Sequence, residues 1–204
     1  MKAKAWDRAR EAFNIESNAL ALMADFLDKR AFGRVVKALA DAPRIGTSGC
    51  GHTGIACMHF AHLMRCIERP ACFISPAEAL HGAIGYLQEG DVMLLASRGG
   101  KTTELFPLIE ICRRRKCAVI VMTENFSSPL ALGADIVLGI KVTKEVDKYN
   151  AQGTTSFSVM CAVFDAIQAA LIEEINYHSK QFALVHPGGA VGEKLNQSGE
   201  GSSC

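Results

Sequence analysis

Residues 91–104 read DVMLLASRGGKTTE, and this stretch decides the fold class. The run from Val92 to Ala96 is apolar at every position, which is typical of a strand buried on both faces of a parallel sheet. A small, glycine-rich turn follows it, and a helical pattern begins at Thr102. A buried strand that leads through a tight turn into a helix predicts the strand–helix alternation of a doubly wound α/β domain.

The same arrangement recurs along the chain. Compact apolar runs predict strands at 44–47, 71–75, 91–97, 117–123 and 135–140, with helices between them at 51–66, 78–87, 102–116 and 128–132. Further helices are predicted at 3–30, 32–41 and 155–175. We therefore expect residues 1–42 to form N-terminal helices packed on the domain or on a partner subunit, residues 43–196 to form one α/β domain, and residues 197–204 to be a flexible tail.

The composition excludes several classes of protein. With 49% hydrophobic and 21% charged residues among 204, the chain is neither disordered nor fibrous. Its net charge of +1 gives no bulk attraction to nucleic acid or to a membrane surface. No run approaches the roughly 18 apolar residues of a membrane span, and the N-terminus lacks a secretory signal, so we expect a cytoplasmic protein. The eight cysteines lie mostly in apolar runs and predict buried free thiols.

Two turns carry the chemical information. Ligands of such a sheet bind outside the carboxyl ends of the strands, where residues 46–52 (GTSGCGH) and 97–104 (SRGGKTTE) lie. Both turns are small, hydroxylated and glycine-rich, and both open a helix, which is the chemistry of anion capture by backbone N–H groups. Neither is a GxxxxGK[ST] or GxGxxG motif, which argues against nucleoside triphosphates and dinucleotides. Together the turns favour a phosphate site.

The motifs also resemble a known family. Residues 97–104 resemble the Ser-x-Ser-Gly-x-Thr-x-Glu signature of sugar isomerase (SIS) domains. Residues 76–82 (PAEALHG) are similar to a Pro-Gly-Glu-Ala-x-His-Gly stretch of the arabinose 5-phosphate isomerase group, and residues 182–195 to its Phe-Ala-x-x-His-Pro-Gly-Gly signature. Glu145 and the segment 154–156 match a further Glu…Thr-Thr-Ser pattern in spacing. In this order, the motifs cover most of residues 44–196.

The resemblance implies a fold and an activity. The fold is a three-layer αβα sandwich around a five-stranded parallel sheet. The activity is aldose–ketose isomerisation of a phosphorylated sugar through an enediol, nearest to the interconversion of ribulose 5-phosphate and arabinose 5-phosphate. No organic cofactor is implied. The family also implies self-association as a dimer or tetramer, with sites near the subunit boundaries.

Site residues follow from the same resemblance. Glu145 is the leading candidate for the base, His186 for ring opening or proton shuttling, and Glu104 and His81 are further catalytic candidates. The substrate and its phosphate are assigned to Ser48, His52, Ser97, Gly99, Gly100, Thr102 and Glu78. Structural alternatives remain open, because Glu104 could form a capping box, Glu145 could be a solvated loop charge, and His186 could stabilise a turn. Glu78 and His81 could simply hydrogen-bond to each other.

One departure from the pattern opens alternatives for function. Gly49 stands where those isomerases usually carry a lysine, which is a strong charge for phosphate. Lys101, Arg98 or Lys148 could supply the missing charge. The absence of the lysine at position 49 favours, as an alternative, a non-catalytic sugar-phosphate sensor. Ether cleavage or deamination on the same scaffold is a third possibility.

A metal site is the last question that the sequence raises. Cys57, His59, His62 and Cys66 lie close together on one predicted helix. The rest of that helix is apolar and brings no carboxylate ligand, so no metal site is predicted.

Overall fold

Five parallel strands form the centre of the computed structural model, which describes residues 2–190 and 192–193. The strands are β1 (Ile45–Ser48), β2 (Ala71–Phe73), β3 (Val92–Ala96), β4 (Ala118–Thr123) and β5 (Ile136–Gly139). Their order across the sheet is β2-β1-β3-β4-β5, and every neighbouring pair is parallel. The predicted five-stranded parallel sheet is therefore confirmed. The predicted tail at 197–204 lies outside the described residues.

Helices cover both faces of the sheet. They are α1 (Ala3–Phe26), α2 (Lys29–Asp41), α3 (Gly51–Cys66), α4 (Pro76–Ala79), α5 (Phe106–Arg114), α6 (Pro129–Leu132), α7 (Thr155–Glu174) and α8 (Ser179–Val185). Alternate residues of β3 enter different cores: Val92 and Leu94 pack with α1, α2, α3 and α7, whereas Met93 and Leu95 pack with α5 and α6. Since successive side chains of a strand point to opposite faces, this division confirms the three-layer sandwich.

The first helical segment is divided differently from the prediction. The prediction of a single helix over 3–30, followed by a second helix from Phe32, is wrong, because α1 ends at Phe26 and α2 begins at Lys29. The physical reason is Asp28, whose carboxylate accepts a hydrogen bond from the N–H of Ala31 at 2.6 Å and caps α2.

The connections after β2 and β3 are also less helical than predicted. The helix expected over 78–87 is replaced by the single turn α4 and a 3₁₀ helix at Ala83–Tyr86, separated by Gly82 with φ of +107°. That left-handed conformation interrupts an α-helix. The helix expected from Thr102 begins at Phe106, after a 3₁₀ turn at Thr103–Leu105.

Helix α7 corrects the expectation about apolar runs. By length and composition it is apolar enough to cross a membrane, although no run was expected to approach that limit. In the structure its buried residues, among them Val159, Phe164 and Leu171, pack against the sheet and the helices around it. The helix therefore serves as part of the core of this domain.

The pairing of Phe60 with Phe164 gives a test of the core. The two rings stack with centroids 4.4 Å apart, and both side chains are fully buried. Replacing Phe164 with alanine should lower the free energy of unfolding by about 4 kcal/mol, measured by urea denaturation. The control Tyr149→Ala, at a side chain 72% exposed, should change it by less than about 0.5 kcal/mol. Equal losses in the two variants would contradict the packing.

Candidate active site

The strand order determines where a ligand can bind. The order in which successive strands are added to the sheet reverses its direction between β1 and β3. These two strands are neighbours in the sheet, and the connections that follow them lie on opposite faces. Ser48 at the end of β1 is in register with Leu95 near the end of β3. The two glycine-rich turns therefore emerge side by side at the topological switch point, which is the usual binding position in such sheets.

The turn after β3 is preorganised by its own side chains. The hydroxyl oxygens of Ser97 and Thr102 lie 2.8 Å apart, and the N–H of Gly100 donates to Ser97 Oγ at 3.1 Å. Gly100 has φ of +66°, and a Cβ on it would lie 2.0 Å from Ser128 Oγ, so only glycine fits. The turn is closed by hydroxyls and packs tightly on the neighbouring loop.

Several backbone donors of this turn remain free. Within the described part of the chain, the N–H groups of Gly99, Lys101 and Thr102 have no protein acceptor at hydrogen-bonding distance. Unpaired N–H groups that lie close together in a glycine-rich turn can bind an anion. The structure thus brings the predicted residues Ser97, Gly99, Gly100 and Thr102 together in one turn with free N–H donors.

The turn after β1 has a different role from the one predicted for its serine. Ser48 is fully buried and donates its hydroxyl to the carbonyl of Ile74 at 2.7 Å, so its side chain tethers β1 to the end of β2. His52 is exposed, and its ring meets Phe157 edge-on with centroids 6.4 Å apart. The hydroxyl of Ser48 is therefore engaged within the fold, which the sequence did not predict.

A cavity of about 390 Å³ opens between the two turns and the segment after β2. Glu104 is the one carboxylate among the side chains that line it. The lining residues are Gly49, Cys50, Gly51, Gly54, Met58, Phe73, Ser75, Pro76, Ala77 and Glu104. Cys50, Phe73 and Ser75 were not predicted, although their positions at the ends of β1 and β2 are the signal that could have identified them.

Glu104 is exposed and nearly free of protein partners. Its carboxylate accepts one long hydrogen bond, from Thr103 Oγ1 at 3.3 Å. Cys50 lines the same cavity as Glu104. Burial raises the pKa of the Cys50 thiol, and the negative charge of Glu104 raises it further. The capping-box alternative for Glu104 is not what the structure shows, because no side chain caps the helical turn that begins at Thr103.

Glu145, the leading candidate for the base, is buried and fully bonded. One oxygen accepts from Arg98 Nη1 at 2.6 Å, and the other accepts from the N–H groups of Thr154 at 2.9 Å and Ser156 at 3.1 Å. Burial alone would raise the pKa of Glu145, but the Ser156 hydroxyl and N–H, Arg98 and Thr154 outweigh it and hold the pKa below its usual value. This carboxylate anchors the loop after β5 to the start of α7.

Arg98 completes the same network. Its guanidinium also donates to Glu124 at 2.6 Å and to the carbonyl of Val142 at 3.1 Å. Arg98 therefore joins the ends of β3 and β4 to the loop after β5. Since its donors are already engaged with two carboxylates and a carbonyl, it is a poor source of charge for a ligand.

The remaining candidates lie further out. Glu78 and His81 are exposed beside the cavity, joined by a backbone hydrogen bond and by no side-chain bond within the described residues. His186 stacks on Phe182 with centroids 3.8 Å apart, and Phe182 lies beside Ile67. Ile67 follows the last residue of α3, about 24 Å along that helix from its start at the cavity. The chain does not bring its own His186 to its own cavity.

The cysteine and histidine set on α3 is dispersed. His62 Nε2 lies 3.6 Å from Cys66 Sγ, while His59 faces Asp165 at 3.4 Å and Cys57 is buried. Among the described cysteines, Cys57, Cys112 and Cys117 are buried, and the other four are half-buried.

The anchoring role of Glu145 gives a test that depends on pH. At pH 7, Glu145→Gln should lower the free energy of unfolding by about 2 kcal/mol, because a charged acceptor of several hydrogen bonds is lost. A lowered pKa stabilises the fold above the unfolded value of 4.5 and loses that effect as the pH falls through the folded value. The difference from wild type should therefore shrink below pH 4.5 in urea titrations. A constant difference would contradict the buried ion pair, and the control Glu104→Gln should stay within about 0.5 kcal/mol.

Comparison with known proteins identifies the family of this chain. The SIS domain family model matches residues 38–170. An arabinose 5-phosphate isomerase of Pseudomonas aeruginosa, KdsD, is 35% identical over 157 residues, which cover 77% of this chain and 48% of the relative. The chain spans about half the length of the curated relatives it matches.

Two solved structures share the fold over nearly the whole chain. One, from Listeria monocytogenes, has a TM-score of 0.89 at 36% identity and covers 92% of this chain and 100% of its own. The other, Escherichia coli CFT073 c3406 in complex with A5P, has a TM-score of 0.84 at 26% identity, with the same two coverages. Since the family model matches more than half of the sequence and the structural neighbours share the sheet, the chain belongs to the SIS domain family.

Proposed function

We propose that the protein is a phosphosugar aldose–ketose isomerase that interconverts ribulose 5-phosphate and arabinose 5-phosphate. The observation that carries this proposal is the turn after β3, with its free N–H groups, next to a cavity that a single carboxylate enters. The turn suits a phosphate, and the cavity suits the carbon chain of a small sugar. The names of the curated relatives and the A5P bound to the Escherichia coli neighbour support the same substrate.

The reaction needs a base beside two adjacent carbons. The base removes the proton from C2 of the aldose and leaves an enediolate. A proton then passes from O2 to O1, and the base returns its own proton to C1 to give the ketose. Glu104 suits this role because it lines the cavity and has a nearly free carboxylate. Glu145 suits it less, because both of its oxygens are held by donors and its pKa lies below the usual value. We therefore assign Glu145 to positioning and Glu104 to proton transfer.

Replacing Glu104 with glutamine tests this assignment. The variant should lose at least about 100-fold in kcat, because general base catalysis typically contributes that much or more. It should still bind arabinose 5-phosphate, since the phosphate turn is unchanged. Turnover and deuterium exchange at C2 in D₂O, both followed by NMR, are the measurements. Turnover by Glu104→Gln within a few-fold of wild type would contradict the assignment of the base.

The sensor alternative rests on Gly49, where the resembled enzymes carry a lysine. A sensor would be stabilised by arabinose 5-phosphate, as any ligand of the native state stabilises it, and would give neither turnover nor exchange. Wild-type protein with a raised Tm and no product would thus favour the sensor. Protein that neither binds nor converts the sugar would contradict both functions.

His186 fits the proposal in an oligomer. It lies at the far end of α3 from its own cavity, so it can act only at the site of another subunit. Helix α1 offers a surface for such an assembly, since Trp6 is 54% and Phe13 78% exposed on it. The functional unit in this proposal is a dimer or tetramer in which each subunit supplies its His186 to the site of another subunit.

Mixing two weakly active variants tests whether His186 acts at the site of another subunit. Glu104→Gln and His186→Ala should each be weakly active alone, and co-refolded mixtures should regain activity, because some mixed sites combine an intact Glu104 with an intact His186. The regained activity is measured by the same NMR assay. No gain on mixing, or a monomer by light scattering, would contradict this arrangement.

A further inference from the structure

The charge that a bound phosphate needs is not supplied by the first turn. A Cβ on Gly49 would lie 3.1 Å from the carbonyl carbon of Thr53 and 3.2 Å from the carbonyl oxygen of Ala96. The carbonyl of Gly49 in turn lies 2.6 Å from where a Cβ of Gly54 would be. The turn therefore packs backbone against backbone, and a side chain at position 49 would require it to move. A cation must come from elsewhere.

Lysine and arginine side chains follow only two of the five strands within their first ten residues on the carboxyl side of the sheet. After β3 come Arg98 and Lys101, and Arg98 is engaged by Glu124 and Glu145. The three lysines after β5 each have a partner of their own. They are Lys141 over the ring of Phe26, Lys144 bonded to Glu11, and Lys148 over the ring of Tyr149.

Lys101 differs from these cations in two respects. It is exposed, and within the described residues it makes no salt bridge or side-chain hydrogen bond. It also lies inside the turn, between Gly100 and Thr102, and its own N–H is one of the free donors. A flexible ammonium on the same turn as the free N–H groups is placed to meet the charge of whatever anion they bind.

We infer that Lys101 binds the phosphate of the sugar and supplies the positive charge that the turn at Gly49 lacks. The inference rests on the proposed function and adds a substrate-binding residue to it. Because Lys101 meets the phosphate and not the reacting carbons, its contribution is to ground-state and transition-state binding alike. A residue of this kind changes KM and leaves kcat nearly unchanged.

The test compares Lys101→Met, Lys101→Arg and Lys148→Met with wild type. Lys101→Met should raise the KM for arabinose 5-phosphate about tenfold, with kcat within about threefold, since a charge-assisted hydrogen bond is lost. The inhibition constant of inorganic phosphate, used as a competitive inhibitor, should rise by a similar factor. Lys101→Arg should recover most of the affinity, and Lys148→Met should behave as wild type. Added salt should weaken substrate binding by the wild-type protein more than by Lys101→Met, because salt screens the charge of Lys101 and the variant lacks that charge.

The outcomes separate the two proposals. Wild-type turnover combined with an unchanged KM and phosphate inhibition in Lys101→Met would overturn the inference alone. A larger effect from Lys148→Met than from Lys101→Met would also overturn it. Wild-type protein that neither converts arabinose 5-phosphate nor responds to inorganic phosphate would overturn the proposed function together with the inference. Unfolding curves of Lys101→Met that match wild type exclude a folding defect as the cause.

Discussion

The parallel pairing of β1 with β3 is the constraint on which the site depends. It makes neighbours of two strands that are separated along the chain by the whole of α3 and β2, and their turns emerge at one edge of the sheet. Neither turn alone forms the site: the turn after β3 holds the free N–H groups, and the turn after β1 forms one wall of the cavity. A shift in this register would move the cavity wall formed by the first turn away from the free N–H groups and from Glu104, which both follow β3.

A buried charge network then gives the two carboxylates different roles. Arg98 and Glu145 fix the loop after β5 against the ends of β3 and β4, at the cost of desolvating both groups. Glu104 lies outside this network, on a short 3₁₀ turn that faces the cavity. One carboxylate is thus held as a charged anchor, and the other, which we propose as the base, lines the cavity with a single long hydrogen bond.

Much of the fold and part of the site could be predicted from local pattern. Apolar runs and glycine-rich turns located all five strands, and the spacing around Ser97 and Thr102 located the turn that we propose to bind phosphate. The choice between Glu104 and Glu145 could not be predicted, because it depends on Arg98, Thr154 and Ser156, which meet Glu145 only through tertiary contacts. The burial of Ser48 could not be predicted for the same reason, because its hydroxyl donates to the carbonyl of Ile74, which lies just beyond another strand.

A crystal structure of the protein with arabinose 5-phosphate is the most direct test of the central claim. The account predicts phosphate oxygens within hydrogen-bonding distance of the N–H groups of Gly99, Lys101 and Thr102, and C1 and C2 of the sugar beside the carboxylate of Glu104. A phosphate bound away from residues 97–102, or a sugar whose C1 and C2 lie against Glu145 with its bonds to Arg98 broken, would contradict it.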